Sequence, residues 1–316
     1  MRHMPRMRKN HRMPFALVTV LLLLVTAVHP AHALLGIGAH KGVDFSLNMA
    51  DAADPFEIEG AMLTIGAPPV SILDSAAGYA VSRSGWQRTW MNFGGKFYID
   101  IVPLIDAVEL SCNFGVWQYE CGYTYPKFNM TTQTLYYETM RLSLDSLGLE
   151  PKWGVHEMPY ARLHADFTIR KYVVRVPREV KLLNVYAGGG FSMFMSTPVL
   201  TGETVREQLT AILRPAGYNM LNPVDTGKVA GRTAAKNAAN GIVQGLTERT
   251  AGLHFIAGAI FQVPMAPLSL YADAKIMLPF TELSRDAGLG GYGIVLNAGV
   301  ALSVASERTK NTEGFE

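Results

Sequence analysis

Residues 35–49 read LGIGAHKGVDFSLNM, in which apolar residues alternate with polar or small ones. In an extended chain, alternate side chains point to opposite faces, so the apolar positions share one face and the glycine-rich positions the other. Only Lys41 breaks the pattern. Residues 292–304, YGIVLNAGVALSV, repeat the same period. Alternation over about fourteen residues predicts strands well beyond the usual five or six.

The first 33 residues have the three parts of a secretory signal peptide. Five basic residues precede an apolar core at residues 15–28, and Ala31-His32-Ala33 fits the small-x-small cleavage pattern. A membrane anchor is the alternative, but the apolar run is short for a helical span. This segment holds five of the 28 Lys and Arg and none of the 26 Asp and Glu, so the mature charge is 23 − 26 = −3. The basicity of the full chain therefore gives no argument for nucleic-acid binding.

Seven further segments alternate in the same way, which makes nine predicted strands. Membrane barrels of one bacterial chain normally have an even number of strands. Residues 56–65 are the candidate for a tenth strand, whereas an eight-stranded barrel would leave the weakest segment, 140–145, as a loop. The seven segments are 92–101, 108–116, 140–145, 161–170, 183–193, 253–263 and 268–280.

The alternation does not by itself say which face is inside the barrel. In a soluble lipocalin-like barrel the apolar face lines the cavity, whereas in a membrane barrel it contacts lipid. Here the polar face of the terminal strands carries mainly small residues, which suit a crowded interior, and other strands carry charges of both signs that can pair there. We therefore predict an all-β fold, a closed antiparallel transmembrane β-barrel of about 8–10 strands. The polar side chains predicted to line its lumen are His40, Asp44, Lys96, Asp100, Glu109, Arg162, His164, Asp166, Arg170, His254, Asp273 and Lys275.

Aromatic residues near predicted strand ends favour the membrane alternative, because membrane barrels carry aromatic girdles at both interfaces. Ordinary core and turn aromatics are the alternative interpretation. The residues concerned are Trp86, Trp90, Trp117, Tyr119, Tyr123, Tyr125, Trp153 and Tyr160.

The last predicted strand carries a further signal. Residues 297–304, NAGVALSV, are similar to the final-strand signal read by the barrel-assembly machinery: polar, x, Gly, x, x, hydrophobic, x, hydrophobic. Many bacterial examples end at an aromatic residue, whereas this strand ends at Val304 and a charged tail, 305–316, follows. Over residues 34–304 the chain resembles a small bacterial outer-membrane β-barrel protein. The resemblance implies an outer-membrane location, contact with outer-membrane lipid, and the assembly machinery as a partner during biogenesis.

A long insertion, residues 197–250, separates two of the predicted strands. Val205, Leu209 and Ile212 have helical spacing, which predicts a helix over 202–214 that Pro215 ends. The alanine-rich stretch 229–246 predicts a second helix, weakened by three glycines. With both termini periplasmic, the insertion lies outside the cell; a plug in the lumen is the alternative, which a narrow barrel disfavours. Residues 177–181 and 264–267 are predicted tight, proline-marked turns.

The two cysteines, Cys112 and Cys121, leave two alternatives open. Export permits a disulfide. However, nine residues of continuous strand would separate their Cα atoms by about 30 Å, where a disulfide needs roughly 6 Å. A bond therefore requires the chain to reverse near residues 115–117.

Motifs of enzymes and cofactor sites are absent from the sequence. Residues 225–228, DTGK, match a phosphate loop only in part, because Asn222 stands where a glycine is required, and we expect a loop there. Residues 188–190, GGG, are expected to permit a bend or close packing against aromatic neighbours. The four mature histidines lack metal-ligand spacing, and no nucleophile elbow is present. We therefore expect no enzyme activity, no metal and no cofactor.

Three functions remain after these exclusions. The polar, charge-lined interior favours a narrow, porin-like channel for small solutes, because barrels of eight to ten strands have interiors filled by side chains. The insertion at 197–250 favours a non-enzymatic surface or envelope protein that binds a partner through it. The third alternative is a soluble periplasmic carrier of the lipocalin type.

Overall fold

The computed structural model describes residues 34–45, 51–57, 64–65, 70–71, 78–100, 106–129, 131–132, 134–176, 182–213, 223–264, 266–281, 283 and 292–305. The predicted signal peptide, 1–33, the turn at 177–181 and tail residues 306–316 lie outside this part of the chain.

The described chain forms twelve strands and three helices. The helices are α1 (Leu144–Leu147), α2 (Gly202–Leu213) and α3 (Pro223–Val243). The strands are β1 (Leu34–Asp44), β2 (Ala52–Phe56), β3 (Thr64–Ile65), β4 (Val70–Ser71), β5 (Tyr79–Ile99), β6 (Ala107–Asn129), β7 (Thr134–Leu142), β8 (Met158–Val176), β9 (Leu183–Ser196), β10 (Glu248–Gln262), β11 (Leu268–Pro279) and β12 (Gly293–Ala305).

Eight of the described strands close into an antiparallel barrel in the order β5-β1-β12-β11-β10-β9-β8-β6, with β6 pairing back to β5. The first and last strands pair from Leu34 with Ala305 to Asp44 with Val295. The prediction of a closed barrel is confirmed. Both ends of the barrel chain therefore lie at one end, here called the terminal end. At the same end, Val263 N–H donates to the Leu268 carbonyl at 2.9 Å across the predicted turn at 264–267.

The barrel wall has eight strands within the described residues, which is the lower end of the predicted range. Predicted segment 140–145 contributes to β7, but β7 pairs only with the distal half of β6 and stays outside the closed wall. Residues 56–65 do not supply a barrel strand in the described part: Phe56 ends β2, and Thr64–Ile65 is β3, which pairs with β4. The prediction of a tenth barrel strand there was wrong, because the distal parts of β5 and β6 continue beyond the barrel and take β2 and β7 as neighbours.

The far end of the barrel carries a folded cap, defined here as β2, β7, the distal parts of β5 and β6, and helices α1, α2 and α3. Helix α2 packs against β2, and α3 packs against β6. Both predicted helices are confirmed, although α3 starts at Pro223, so the expected loop at 225–228 is helical instead. Proline suits the first position of a helix, where its missing N–H has no partner to lose. The buried cap core includes Tyr79, Val81, Trp117, Tyr119, Cys121, Tyr123, Tyr125, Leu142, Met158, Tyr160, Leu200, Val205, Leu209 and Ala234.

The local sequence explains where two of the helices begin. Ser143 accepts a hydrogen bond from the Ser146 N–H, and the Ser146 hydroxyl accepts one from the Ser143 N–H, which is a capping box for α1. At α2, the Thr201 hydroxyl accepts from the Thr204 N–H at 3.2 Å. Val205 and Leu209, one turn apart, are buried in the cap core. The 3.6-residue period therefore places one apolar face of α2 on the sheet.

The outer wall of the barrel is apolar and its interior is polar. Ile37, Phe191 and Leu302 face outwards and are more than half exposed. On β1 the outward face runs from Leu35 to Phe45, which corresponds to about 25 Å along the axis at the usual strand tilt. This polarity is that of a transmembrane barrel and is the reverse of a soluble lipocalin-like carrier. Within the described residues, no helix is long and apolar enough to cross a membrane.

Most of the aromatic residues expected in an interfacial girdle are buried in the cap instead. Trp117, Tyr119, Tyr123, Tyr125 and Tyr160 are at most 1% exposed. They project from the inner face of their strands beyond the barrel, where the helices cover them. Trp90 does lie on the outside, with 73% exposure.

Candidate functional site: the barrel interior

The structure places eleven of the twelve predicted lumen side chains in the interior, each at most 6% exposed. The twelfth, Asp100, lies in the turn after β5 at the terminal end, where it accepts a hydrogen bond from the Tyr172 hydroxyl at 3.1 Å. That any of the twelve side chains takes part in the passage of a solute stays a prediction. The eleven are His40, Asp44, Lys96, Glu109, Arg162, His164, Asp166, Arg170, His254, Asp273 and Lys275.

Glu109 lies between two interior cations. Its Oε2 is 2.9 Å from Arg170 Nη1 and 3.9 Å from Lys96 Nζ. Lys96 Nζ is also 3.3 Å from Asp273 Oδ2 and lies 3.2 Å from the centroid of the Tyr271 ring. Arg170 and Glu109 are fully buried. Charges removed from water in this way need partners of opposite sign, and each group here has at least one.

A second ion pair lies beside this cluster. Lys275 Nζ donates to Asp166 Oδ2 and to the Ser111 hydroxyl, both at 2.6 Å. Lys275, Asp166 and Ser111 come from β11, β8 and β6, so the pair crosses the barrel interior instead of linking neighbouring strands. The interior is thus held together by contacts across the lumen as well as by the strand ladder.

Two interior histidines, His40 and His164, belong to one chain of hydrogen bonds. His40 Nδ1 lies 2.8 Å from the Tyr271 hydroxyl, and its Nε2 contacts the Asn113 amide oxygen. Asn113 Nδ2 donates to His164 Nε2 at 2.6 Å. The four side chains Tyr271, His40, Asn113 and His164 form one chain of contacts. Among the described residues, no group of three or more His, Cys, Asp or Glu side chains is placed to hold a metal ion.

His254 is held separately by two hydroxyls. Its Nε2 lies 2.8 Å from Thr168 Oγ1, and its Nδ1 lies 2.8 Å from Ser192 Oγ. Both ring nitrogens therefore have neutral partners from the neighbouring part of the barrel. This arrangement positions the ring and leaves neither nitrogen aimed at open space.

Polar groups continue to the cap end of the interior. Asp44 Oδ2 is 3.6 Å from Arg162 Nη1, and the Arg162 guanidinium lies 5.1 Å from the centroid of the Phe194 ring. Together with Asp100 at the terminal end, these residues complete a polar column along the barrel axis. The eleven side chains inside the barrel are at most 6% exposed, so they pack against one another and leave little of their surface open to solvent.

One buried charge at the cap junction was missed by the sequence reasoning. Arg83, 1% exposed, donates from Nη1 to Asp54 Oδ2 at 2.6 Å and to the Leu200 carbonyl at 2.8 Å. It thereby ties β2 and the segment before α2 to β5. The signal was available, because Tyr79, Val81 and Arg83 alternate as a strand does.

Both cysteines are free thiols in the structure. Strand β6 runs without reversal through both positions, so the geometry that a disulfide requires is absent. Cys112 faces outwards and Cys121 faces the cap core. Burial raises the pKa of the Cys121 thiol to about 12, and the positive charge of Arg83 partly opposes this shift. Cys121 therefore stays protonated and unreactive at neutral pH.

The triple glycine serves close strand packing. A Cβ added at Gly188 would overlap the Ile169 carbonyl, and one added at Gly190 would overlap the Phe167 carbonyl. The nearest neighbours of Gly188 and Gly190 are thus the backbone of β8, whereas a Cβ added at Gly189 would lie 3.4 Å from the Phe255 ring, so the expected aromatic neighbour is present there. Only residues without a Cβ allow β8 and β9 to approach in this way.

The pairing and the polarity define the class of the protein: a small closed β-barrel of the outer-membrane type. No protein-family model matches the chain, and no curated protein matches it. Among solved structures, it is similar to the outer membrane protein OprG from Pseudomonas aeruginosa, with 10% sequence identity, coverage of 88% of this chain and 98% of that chain, and a TM-score of 0.36. The assignment to the outer-membrane type therefore rests on the strand pairing of the closed barrel and on its apolar outer and polar inner faces.

Proposed function

We propose that this barrel lies in the bacterial outer membrane with its cap outside the cell, and that it is a non-enzymatic surface protein that binds a partner through the cap. The observation that carries the proposal is the cap itself. A closed barrel needs no such structure to remain in a membrane, yet two helices and an extended sheet form a separate buried core at one end. The orientation follows from the predicted export signal and from both barrel ends lying at the terminal end.

The cap offers a defined contact surface. Strand β7 is the outermost strand of the extended sheet and pairs with β6 alone among the described strands. Tyr136 and Tyr137 on this strand are 41% and 51% exposed. Tyrosine is enriched in binding surfaces because a large ring carries a polar tip at low conformational cost. A free strand edge with exposed tyrosines suits recognition of another protein by strand addition.

Orientation and recognition are tested with single substitutions in intact cells. A membrane-impermeant maleimide is expected to label Asn237→Cys in α3, and to label Ala266→Cys at the terminal end only after the cells are opened. The wild type gives the background labelling, which is expected to be low because Cys121 is buried and Cys112 faces lipid. A photo-crosslinking residue at Tyr137 is expected to give a discrete protein adduct, whereas one at Tyr292, which faces outwards from β12, gives none. The inverted labelling pattern contradicts the orientation, and equal crosslinking at both positions contradicts recognition by the cap.

A second candidate function is a narrow channel for small solutes. The continuous polar column from Asp44 to Asp100 favours it, since a barrel that serves only as an anchor does not require charges along its whole axis. Shortening an interior cation with Lys96→Ala is expected to produce conductance steps in planar bilayers, and Lys171→Ala, on the outer wall, is the matched control. If the wild type and both variants show no conductance above background, the barrel is not a channel.

A further inference from the structure

The outer wall of the barrel contains a groove of about 680 Å³. Its floor follows one row of paired residues across five strands: Lys41 pairs with Ala298, Ala298 with Ala272, Ala272 with Ala259, and Ala259 with Val185. Because alanine side chains are short, the three consecutive alanines make this row lower than the row beside it. The adjoining row on the terminal side, which includes Val300, Leu270 and Phe261, forms a higher edge.

The groove runs diagonally down the barrel. Lys41 is the eighth residue of β1, counted from the terminal end, whereas Val185 is the third residue of β9. The floor therefore begins in the cap half of the wall and descends towards the terminal end. Four strand spacings give it a length of about 19 Å. A long, narrow, apolar channel of this kind fits an extended hydrocarbon chain.

The upper end of the groove is cationic. Lys41 is exposed, and its Nζ uses one donor on the Trp90 carbonyl at 3.1 Å. Arg88, two residues before Trp90, does not line the groove; its Nη2 donates to the Asp44 carbonyl at 2.6 Å, and its guanidinium lies 5.4 Å from the centroid of the Phe45 ring. An ammonium on a wall that faces hydrocarbon is costly unless a negative group accompanies it.

The described part of the outer wall supplies no negative group to these cations. The charged side chains that face outwards from the barrel strands below the cap are all basic: Lys41, Arg88, Lys171 and Arg249. A second copy packed on this wall would bring cations against cations. The charge complement must therefore come from a different molecule, one that is anionic at the head and apolar along its length.

We propose that this groove is a binding site for a phosphorylated lipid of the leaflet on the cap side, with the phosphate on Lys41 and one acyl chain along the alanine floor. The phosphate accepts hydrogen bonds from the remaining donors of Lys41. The apolar contacts select for a long chain without fixing its headgroup. The inference rests on the barrel fold and does not depend on the proposed surface function.

Native mass spectrometry of the detergent-solubilised full chain tests the site, with dioleoylphosphatidylglycerol as the titrated probe. We expect one lipid to be retained more tightly than the rest. Lys41→Met is expected to weaken its binding about tenfold, and Ala272→Phe, which fills the floor far from Lys41, to abolish it. The matched controls are Arg249→Met, an exposed outward cation eight positions from Ala257 on β10 and paired with Met195, and Ala165→Phe, the same enlargement on the opposite wall. Dioleoylglycerol, which lacks the phosphate, is expected to bind as weakly to the wild type as to Lys41→Met.

Several outcomes overturn the proposal. Equal retention by Lys41→Met and Arg249→Met removes the phosphate contact, and retention by Ala272→Phe equal to that of Ala165→Phe removes the acyl-chain contact. If the wild type forms dimers that Ala272→Phe dissociates, the groove is an interface between copies of this chain. Heat-modifiable gel mobility establishes that each variant is folded before its lipid binding is measured.

Discussion

Replacing Glu109 with alanine is expected to destabilise the barrel by about 3–5 kcal/mol, because it leaves two buried cations without their shared counter-charge. Glu109 is fully buried, and its carboxylate is 2.9 Å from Arg170 and 3.9 Å from Lys96. Lys96 keeps Asp273, but Arg170 has no second carboxylate recorded within 4.0 Å among the described residues. The guanidinium would remain in a packed interior where water does not replace the lost partner.

The measurement is the urea midpoint of unfolding in detergent micelles, read from the heat-modifiable gel shift. Glu138→Ala is the matched control, because Glu138 pairs with Lys127 at 2.8 Å but is 39% exposed, and such pairs contribute about 0–1 kcal/mol. The double variant Glu109→Ala/Arg170→Met is expected to recover part of the loss, since it removes the unpaired charge as well. Equal midpoints for Glu109→Ala and Glu138→Ala would show that the interior ion pairs do not hold the barrel closed.

The variant Gly231→Ala is expected to loosen helix α3 from the cap while the barrel remains intact. A Cβ at this position would overlap the ring of Tyr123. That ring has little freedom to move, since it stacks between Tyr79 and Tyr125 with centroid distances of 6.2 and 5.7 Å. Overpacking of this kind typically costs about 1–3 kcal/mol, which exceeds the gain in helix propensity from replacing glycine.

Gly241→Ala in the same helix is the matched control, because nothing lies within 4 Å of a Cβ added there. It is expected to stabilise α3 by about 0.5–1 kcal/mol through helix propensity alone. Hydrogen exchange of the α3 amides distinguishes the two variants: faster exchange in Gly231→Ala and slower exchange in Gly241→Ala, with unchanged protection of β10 and β11. Slower exchange in both variants would contradict the tight contact between α3 and β6.

The sequence predicted the barrel wall and the residues inside it because both depend on the same two-residue period. Each interior charge could be assigned to a face from its neighbours in the strand alone. The pairing among those charges could not be predicted, because it depends on how far neighbouring strands are staggered around the barrel. Lys96 and Asp273, for example, are 177 residues apart in the chain and meet across the lumen.

The cap shows that a position near a strand end does not by itself identify an interfacial aromatic residue. Trp117, Tyr119 and Tyr123 were candidates for an interfacial girdle, yet they have the same parity along β6 as Glu109, Ser111 and Asn113, which face the interior. Parity along one long strand would therefore have placed them inside. Aromatic residues near a strand end look the same in sequence whether lipid or a helix covers them. Here the cover comes from segments far away in the chain: a Cβ at Gly231 of α3 would meet the Tyr123 ring, and the Tyr119 hydroxyl accepts a hydrogen bond from the Leu200 N–H before α2.

The pairing of β1 with β12 sets a condition on assembly. Leu34 and Ala305, which are 305 − 34 = 271 positions apart, lie side by side, so the wall has two open edges until the last strand is in place. Contacts between the two ends of a chain form slowly, and open strand edges attract other chains. A chain that stops before β12 therefore cannot shield its edges, however well its other strands pair. Such a protein needs to be kept unfolded until it has been made in full.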